Sequence, residues 1–265
     1  MNELIVKYCK IDIDAIKRED EIKKIIPKTF AIVCKYKSEI MKCQTLLSKL
    51  MVIKNLNCDE NDIYYNKLRK PYVKGKQFFN ISHSKDYIVY VESKSEVGID
   101  IEYISEKNFS ILNYAFTDEE RDFILKNNFA NVDLQYSTLK RGRSQQTQFQ
   151  LDSCERKARF IYLWTIKESL FKASGNEIYE KPNKIIVEEI DDKISKNKIE
   201  GCEKDEKYNL GQLKYLFDNL NHIEINQKYL GVDYHIYSFK FMNYIVSIAS
   251  KDKYDEISLE ECNVI

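Results

Sequence analysis

Three prolines and seven glycines in 265 residues leave few obligatory breaks, which fits a folded chain of regular elements rather than a low-complexity one. The three histidines, His83, His222 and His235, stand at no zinc-ligand spacing with a cysteine, so a structural zinc site is not expected. Seven cysteines, an odd number spread from Cys9 to Cys262 without a CxxC pair, read as reduced thiols used in packing. No apolar run approaches the roughly 20 residues that cross a bilayer. The opening MNELIVKYCKIDID alternates apolar and polar residues and soon becomes charged, unlike a signal sequence. A cytoplasmic chain with no membrane partner is expected. Neither sign of charge is in excess: 42 basic residues face 42 acidic ones, with a pI near 6.8. No global field therefore points to nucleic acid, and recognition of any partner must be local. What is present is apolar and charged matter, 43% and 32%, enough for one large or two small cores.

The apolar positions Ile40, Cys43, Leu47, Leu50 and Met51 recur at the helical period, which predicts one long amphipathic helix over Lys28 to Asn57. A turn at Arg69-Lys70-Pro71 precedes two strands, Phe78 to Ser82 and Tyr87 to Glu92, joined by a polar turn His83 to Asp86. Val97 to Tyr103 is predicted as a third strand, with Ile99 and Ile101 on its core face and Asp100 and Glu102 on the other. Thr117 and Glu120 form a capping box opening a helix that runs to about Asn127. Leu134 to Ser153, rich in glutamine and carrying Lys140, Arg141 and Arg143, is predicted as a flexible insertion that either meets an acidic partner or is idle disorder. Asp152 and Glu155 open a further helix through Phe160, Leu163, Trp164, Ile166 and Leu170, ended by Ser174-Gly175. A charged surface excursion follows over Asp191 to Tyr208, then strands at Tyr234 to Phe241 and Tyr244 to Ser250. Tyr87 to Lys94 echoes Tyr244 to Lys251, which suggests two similar halves, 1–104 and 105–265.

Asp100 and Glu102, two apart on one strand face, offer hard oxygen ligands to one magnesium ion. An ordinary solvent-exposed strand face would look the same. Glu168 and Lys172 lie one helical turn apart with Trp164 a turn earlier, and a Glu-Lys pair at that spacing also stabilises a plain surface helix. The order in which FNISHS, GIDIE and WTIKESLFKASG occur is more specific. Together they resemble the Sfp-type phosphopantetheinyl transferase family, in Ser82-His83, in Gly98 to Glu102, and in Trp164 with Lys167, Glu168, Ser169 and Lys172. Lys70-Pro71 echoes a further G-K-P element, with Arg69 in the place of its glycine. The likeness covers about 100 residues, Arg69 to Glu102 and Phe116 to Gly175.

That resemblance implies an α+β fold of two pseudo-symmetric lobes, each a small, mainly antiparallel sheet on a long helix, with coenzyme A between them. It implies transfer of the 4'-phosphopantetheine arm of coenzyme A to a serine of an acyl or peptidyl carrier protein, by a monomer. By the same analogy Asp100, Glu102 and Glu168 hold Mg2+, and Glu168 is also the base for the acceptor serine. Lys172, joined by Lys167, neutralises phosphate charge, while Lys70, Ser82, His83 and Thr45 bind coenzyme A. Gln44 stands where the family carries an arginine, and Thr29, Phe30 and Ile32 where it carries basic residues. A carrier-binding homologue without catalysis and another magnesium-dependent phosphoryl-transfer enzyme are the competing readings. No P-loop or kinase motif supports the latter.

Overall fold

The computed structural model describes residues 2–67, 69–104, 111–125, 144–175, 181–187 and 223–264. The first half runs β1 (Glu3–Lys10), α1 (Glu19–Ile25), α2 (Pro27–Val33), α3 (Glu39–Leu56), β2 (Ile63–Tyr65), β3 (Pro71–Val73), β4 (Phe78–Ser84), β5 (Tyr87–Ser93) and β6 (Val97–Tyr103). After it come α4 (Leu112–Ala115), α5 (Asp118–Leu125), α6 (Ser144–Ala173), β7 (Ile223–Tyr229), β8 (Val232–Phe241), β9 (Tyr244–Ser250) and β10 (Glu256–Glu261). The fold is α+β, and among the described residues it has two four-stranded sheets, ordered β10-β1-β5-β4 and β6-β9-β8-β7, and the two-stranded ribbon β2-β3. Neighbouring strands are antiparallel except β1 and β10, which are parallel.

The inner strands β5 and β9 are apolar on both faces because each sheet is covered twice. Val6, Val89 and Val91 of the first sheet meet Ile99, Ile101, Tyr237, Val246 and Ile248 of the second in one shared core. The outer face of the first sheet packs Phe79, Ile88 and Tyr90 on Cys43, Leu47 and Met51 of α3. That of the second packs Ile236, Ile245 and Ala249 on Phe160, Ile166 and Leu170 of α6. The layers are thus helix, sheet, sheet, helix, and each fully buried Ile or Leu contributes about 1.5–3 kcal/mol. The order strand, long helix, hairpin occurs twice, as β1-α3-β4-β5 and β6-α6-β8-β9. The repeated eight-residue stretch falls on β5 and β9, and Tyr87 and Tyr244, its first residues, pack edge to face with 5.3 Å between ring centroids. Each hairpin turns through a residue of positive φ, Lys85 at 45° and Met242 at 53°, so the two tight loops have the same sense of bend.

Several expectations need correction. The helix predicted over Lys28 to Asn57 is two, α2 and α3, although no Gly or Pro divides them. Ser38 does so instead: its backbone is extended and its Oγ accepts the Met41 N–H, capping α3. The β4–β5 turn is shorter than predicted, and His83 is a strand residue. Helix α6 begins at Ser144, so residues 144–153 of the expected insertion belong to it, while 134–143 and the expected excursion at Asp191 to Tyr208 lie outside the described residues. β6 pairs in the second sheet and β10 returns to the first. Sheet membership therefore changes between Ser93 and Val97 and again after Ser250. β10 escaped notice because an edge strand such as EISLEE keeps charged residues outward and carries a weak apolar signal.

Candidate active site

The Gly98-to-Glu102 strand and α6 meet at closer range than side chains ordinarily allow. A β-carbon on Gly98 would collide with the Ser169 carbonyl oxygen and the Ala173 nitrogen of α6, so only glycine lets the helix lie on β6 here. α6 ends at this contact, on Ala173, and two residues on Gly175, at φ 77°, turns the chain into the left-handed region. The last turn of α6 is thereby held over the face of β6 that carries Asp100.

β4 lies along the other side of β6, and its alternate polar side chains join the two strands where no backbone ladder does. Asn80 Oδ1 accepts the Ile99 N–H at 2.9 Å. Ser82 Oγ donates to Asp100 Oδ1 at 2.9 Å. Ser84 Oγ donates to Glu102 Oε2 at 3.1 Å and accepts the Tyr103 N–H at 3.1 Å. The period of two places Asn80, Ser82 and Ser84 on one face of β4, so the polar part of FNISHS is a seam between the two sheets. Sequence reasoning missed Asn80 and Ser84, whose spacing with Ser82 was the available signal.

Where seam and helix meet, Lys172 Nζ lies 2.7 Å from Asp100 Oδ1, 3.0 Å from Ser82 Oγ and 3.1 Å from the Ile99 carbonyl. Its three N–H donors are all engaged. Asp100 is only 5% exposed, and its second oxygen, Oδ2, is buried without a hydrogen-bond partner. A buried carboxylate oxygen left unpaired costs about 1–3 kcal/mol or more, which marks a place built for a further partner. Glu168 stands half-buried one turn before Lys172, and Glu102 follows Asp100 on the same strand face. Asp100 is therefore no solvent-facing strand residue.

The remaining expected residues fall elsewhere. Lys167 is a correction: it is 1% exposed and spends its donors on Glu120 Oε2 (2.6 Å), the Ala115 carbonyl (3.0 Å) and the Pro182 carbonyl (3.0 Å). Burial, opposed by Glu120, lowers its pKa. It ties α4, α5 and the 181–187 segment to α6 and has no donor left for phosphate. Glu120 also completes the predicted capping box with Thr117 and accepts the Val187 N–H. Lys70 Nζ donates to the Lys172 carbonyl at 2.5 Å and the Val97 carbonyl at 3.3 Å, a cation on the C-terminal carbonyls of α6. Burial pushes it down to about 8.

Ser82 and His83 are adjacent but face opposite sides of β4, with His83 exposed on the α3 side. Partial desolvation, then the Lys172 cation, hold the imidazole below its ordinary value, with Asp100 opposing. Beside it Gln44 Nε2 donates to the Lys85 carbonyl at 3.2 Å, while Thr45 Oγ1 is turned back to the Met41 carbonyl. The first N–H groups of α2, at Lys28 and Thr29, both donate to the Glu60 carboxylate at 2.9 and 2.6 Å. That helix end already holds an anion of the chain's own.

Among the described residues no three His, Cys, Asp or Glu side chains stand together as a metal cage. The expected triad of Asp100, Glu102 and Glu168 is thus not pre-assembled. The residues nonetheless fit a magnesium ion, which takes one or two carboxylates and completes its shell with water and phosphate oxygens. Asp100 Oδ2, with no partner in the protein, is the donor that fits best.

The chain belongs to the 4'-phosphopantetheinyl transferase superfamily, whose family model matches residues 96–232. It is also similar to the 4'-phosphopantetheinyl transferase gsp of Aneurinibacillus migulanus, with 32% identity over 136 residues. That match covers 51% of this chain and 47% of the relative, so it spans about half the length of the curated protein.

Proposed function

We propose that the chain transfers the 4'-phosphopantetheine group of coenzyme A to a serine of an acyl or peptidyl carrier protein, with magnesium bound at Asp100, Glu102 and Glu168. The observation that carries this reading is the buried, partnerless Oδ2 of Asp100, within a Lys172-Asp100-Ser82 cluster whose Asp100 and Lys172 lie in the matched family region. Magnesium there would supply positive charge to the diphosphate and to the leaving adenosine 3',5'-bisphosphate. Glu168 accepts the proton of the attacking serine hydroxyl, directly or through water, since an alcohol is a weak nucleophile without a positioned acceptor. Lys172 turns one N–H from its present acceptors to a phosphate oxygen, and Ser82 orients Asp100 while it does so. Lys70 fixes the end of α6 and presents positive charge beside it. His83, with Thr45 and the Gln44-held turn, faces the nucleotide end of coenzyme A.

Incubation with coenzyme A, magnesium and an apo carrier protein, followed by intact-mass measurement, tests the proposal. A gain of one phosphopantetheine per carrier, abolished by chelation of the metal, is the expected result. An unchanged carrier mass with binding retained would select the non-catalytic homologue. Transfer of a different phosphate-containing group would select another phosphoryl-transfer enzyme.

A further inference from the structure

We propose that the β2–β3 ribbon is a docking surface for an acidic face of the acceptor protein, an inference that rests on the transferase reading above. Charge in this chain balances overall, yet Ile63 to Phe78 holds five basic residues, Lys67, Arg69, Lys70, Lys74 and Lys76, and no acidic one. Ile63 and Val73 pair across the ribbon and enter the α3 core. Alternation then turns the next pair, Tyr64 and Tyr72, outward, each 42% exposed.

These rings are held in place. Tyr64 and Tyr72 stack with centroids 5.7 Å apart at 30°, and Lys74 Nζ lies 4.8 Å from the Tyr64 centroid. Lys49 reaches from α3 to donate to the Tyr65 hydroxyl at 2.6 Å. Ordered tyrosines framed by lysines lose little conformational freedom when a partner arrives. The ribbon is also fastened to the candidate active site, because Asn66 Nδ2 donates to the Gly175 carbonyl at 2.8 Å and Lys70 to that of Lys172. A protein seated on it is therefore held beside the end of α6 that presents Lys172 to Asp100.

The choice of an acidic protein over a single-stranded nucleic acid follows from the rings. Nucleobases need open aromatic faces to stack upon, whereas Tyr64 uses its faces on Tyr72 and Lys74. Lys74 and Lys76 are exposed, and ammonium groups pair with carboxylates.

Fluorescently labelled apo acyl carrier protein, titrated with the full chain, tests the surface. Binding should weaken with salt, and Lys74→Glu/Lys76→Glu should weaken it at least about tenfold. In turnover the same variant should raise KM for the carrier by a like factor, with kcat and KM for coenzyme A within about twofold. Tyr72→Ala should act in the same direction with the charge intact. Unaltered carrier affinity in a variant of unaltered melting temperature overturns the surface, even where transfer continues. So does binding of a single-stranded oligonucleotide that is lost in the variant while carrier binding is kept. Wild-type chain that binds the carrier through Lys74 and Lys76 but transfers nothing to it leaves the surface standing and removes the transferase reading.

Discussion

Lys172 and Asp100, 72 residues apart in the chain, meet at 2.7 Å with Ser82 bonded to both. Asp100→Asn keeps the shape and loses the charge, and Glu168→Gln does the same one turn from Lys172. Each should lower transfer by at least about a hundredfold, the scale of one charge-stabilising or proton-accepting group. Initial rates at saturating carrier decide it: near wild-type values in both variants would remove these residues from the site.

Gly98→Ala should be disproportionately harmful for the addition of one methyl group. The new carbon meets backbone atoms of Ser169 and Ala173 rather than a side chain that could move aside. A loss of about 3 kcal/mol or more in denaturant unfolding is expected, above the usual range for overpacking because a helix must shift. Gly231→Ala, at φ 78° with open space around it, is the control and should cost about 1–2 kcal/mol of backbone strain. Equal effects at the two positions would mean that the α6–β6 contact has room to relax.

Lys167→Met leaves Glu120 charged and buried at 1% exposure, and breaking such a pair costs about 3–5 kcal/mol. Neutralising both partners in Lys167→Met/Glu120→Gln should recover much of that loss. A thermal melt of the three proteins reads this directly. At a temperature where each is folded, KM for coenzyme A should stay within about twofold, whereas a phosphate-binding Lys167 would raise it at least tenfold.

The Lys70 amine gives a signed pH dependence. Burial lowers it from 10.5 to about 8, so the unfolded chain binds the extra proton between those values and the folded chain does not. Stability must then rise with pH across that interval. Comparing wild type with Lys70→Met cancels the other titrating groups: wild type should gain on the variant from pH 8 to 10.5 and hold a constant difference below pH 7. Wild type that instead loses ground to the variant as pH rises would show that the two carbonyl acceptors outweigh burial at Lys70.

Elements with strong local periods and the residue types at the site were legible in the chain before it folded. The alternation of GIDIE set Ile99 and Ile101 to the core and Asp100 to the opposite face. Thr117 with Glu120 and the stop at Gly175 marked helix ends, because caps are made within one turn of chain. Ser38 was harder to see as a cap, since its neighbours keep a helical apolar period and only its extended backbone separates α2 from α3. What each lysine does depended on long-range packing. Lys70, Lys167 and Lys172 carry the same group, yet one caps a helix 102 residues away, one pairs with Glu120 47 residues away, and one reaches Asp100 72 residues away. Periodicity and capping are short-range and travel with the local chain, whereas an ammonium's partner is whichever acceptor packing brings within about 3 Å. That is settled only when α6 comes down on β6 over Gly98.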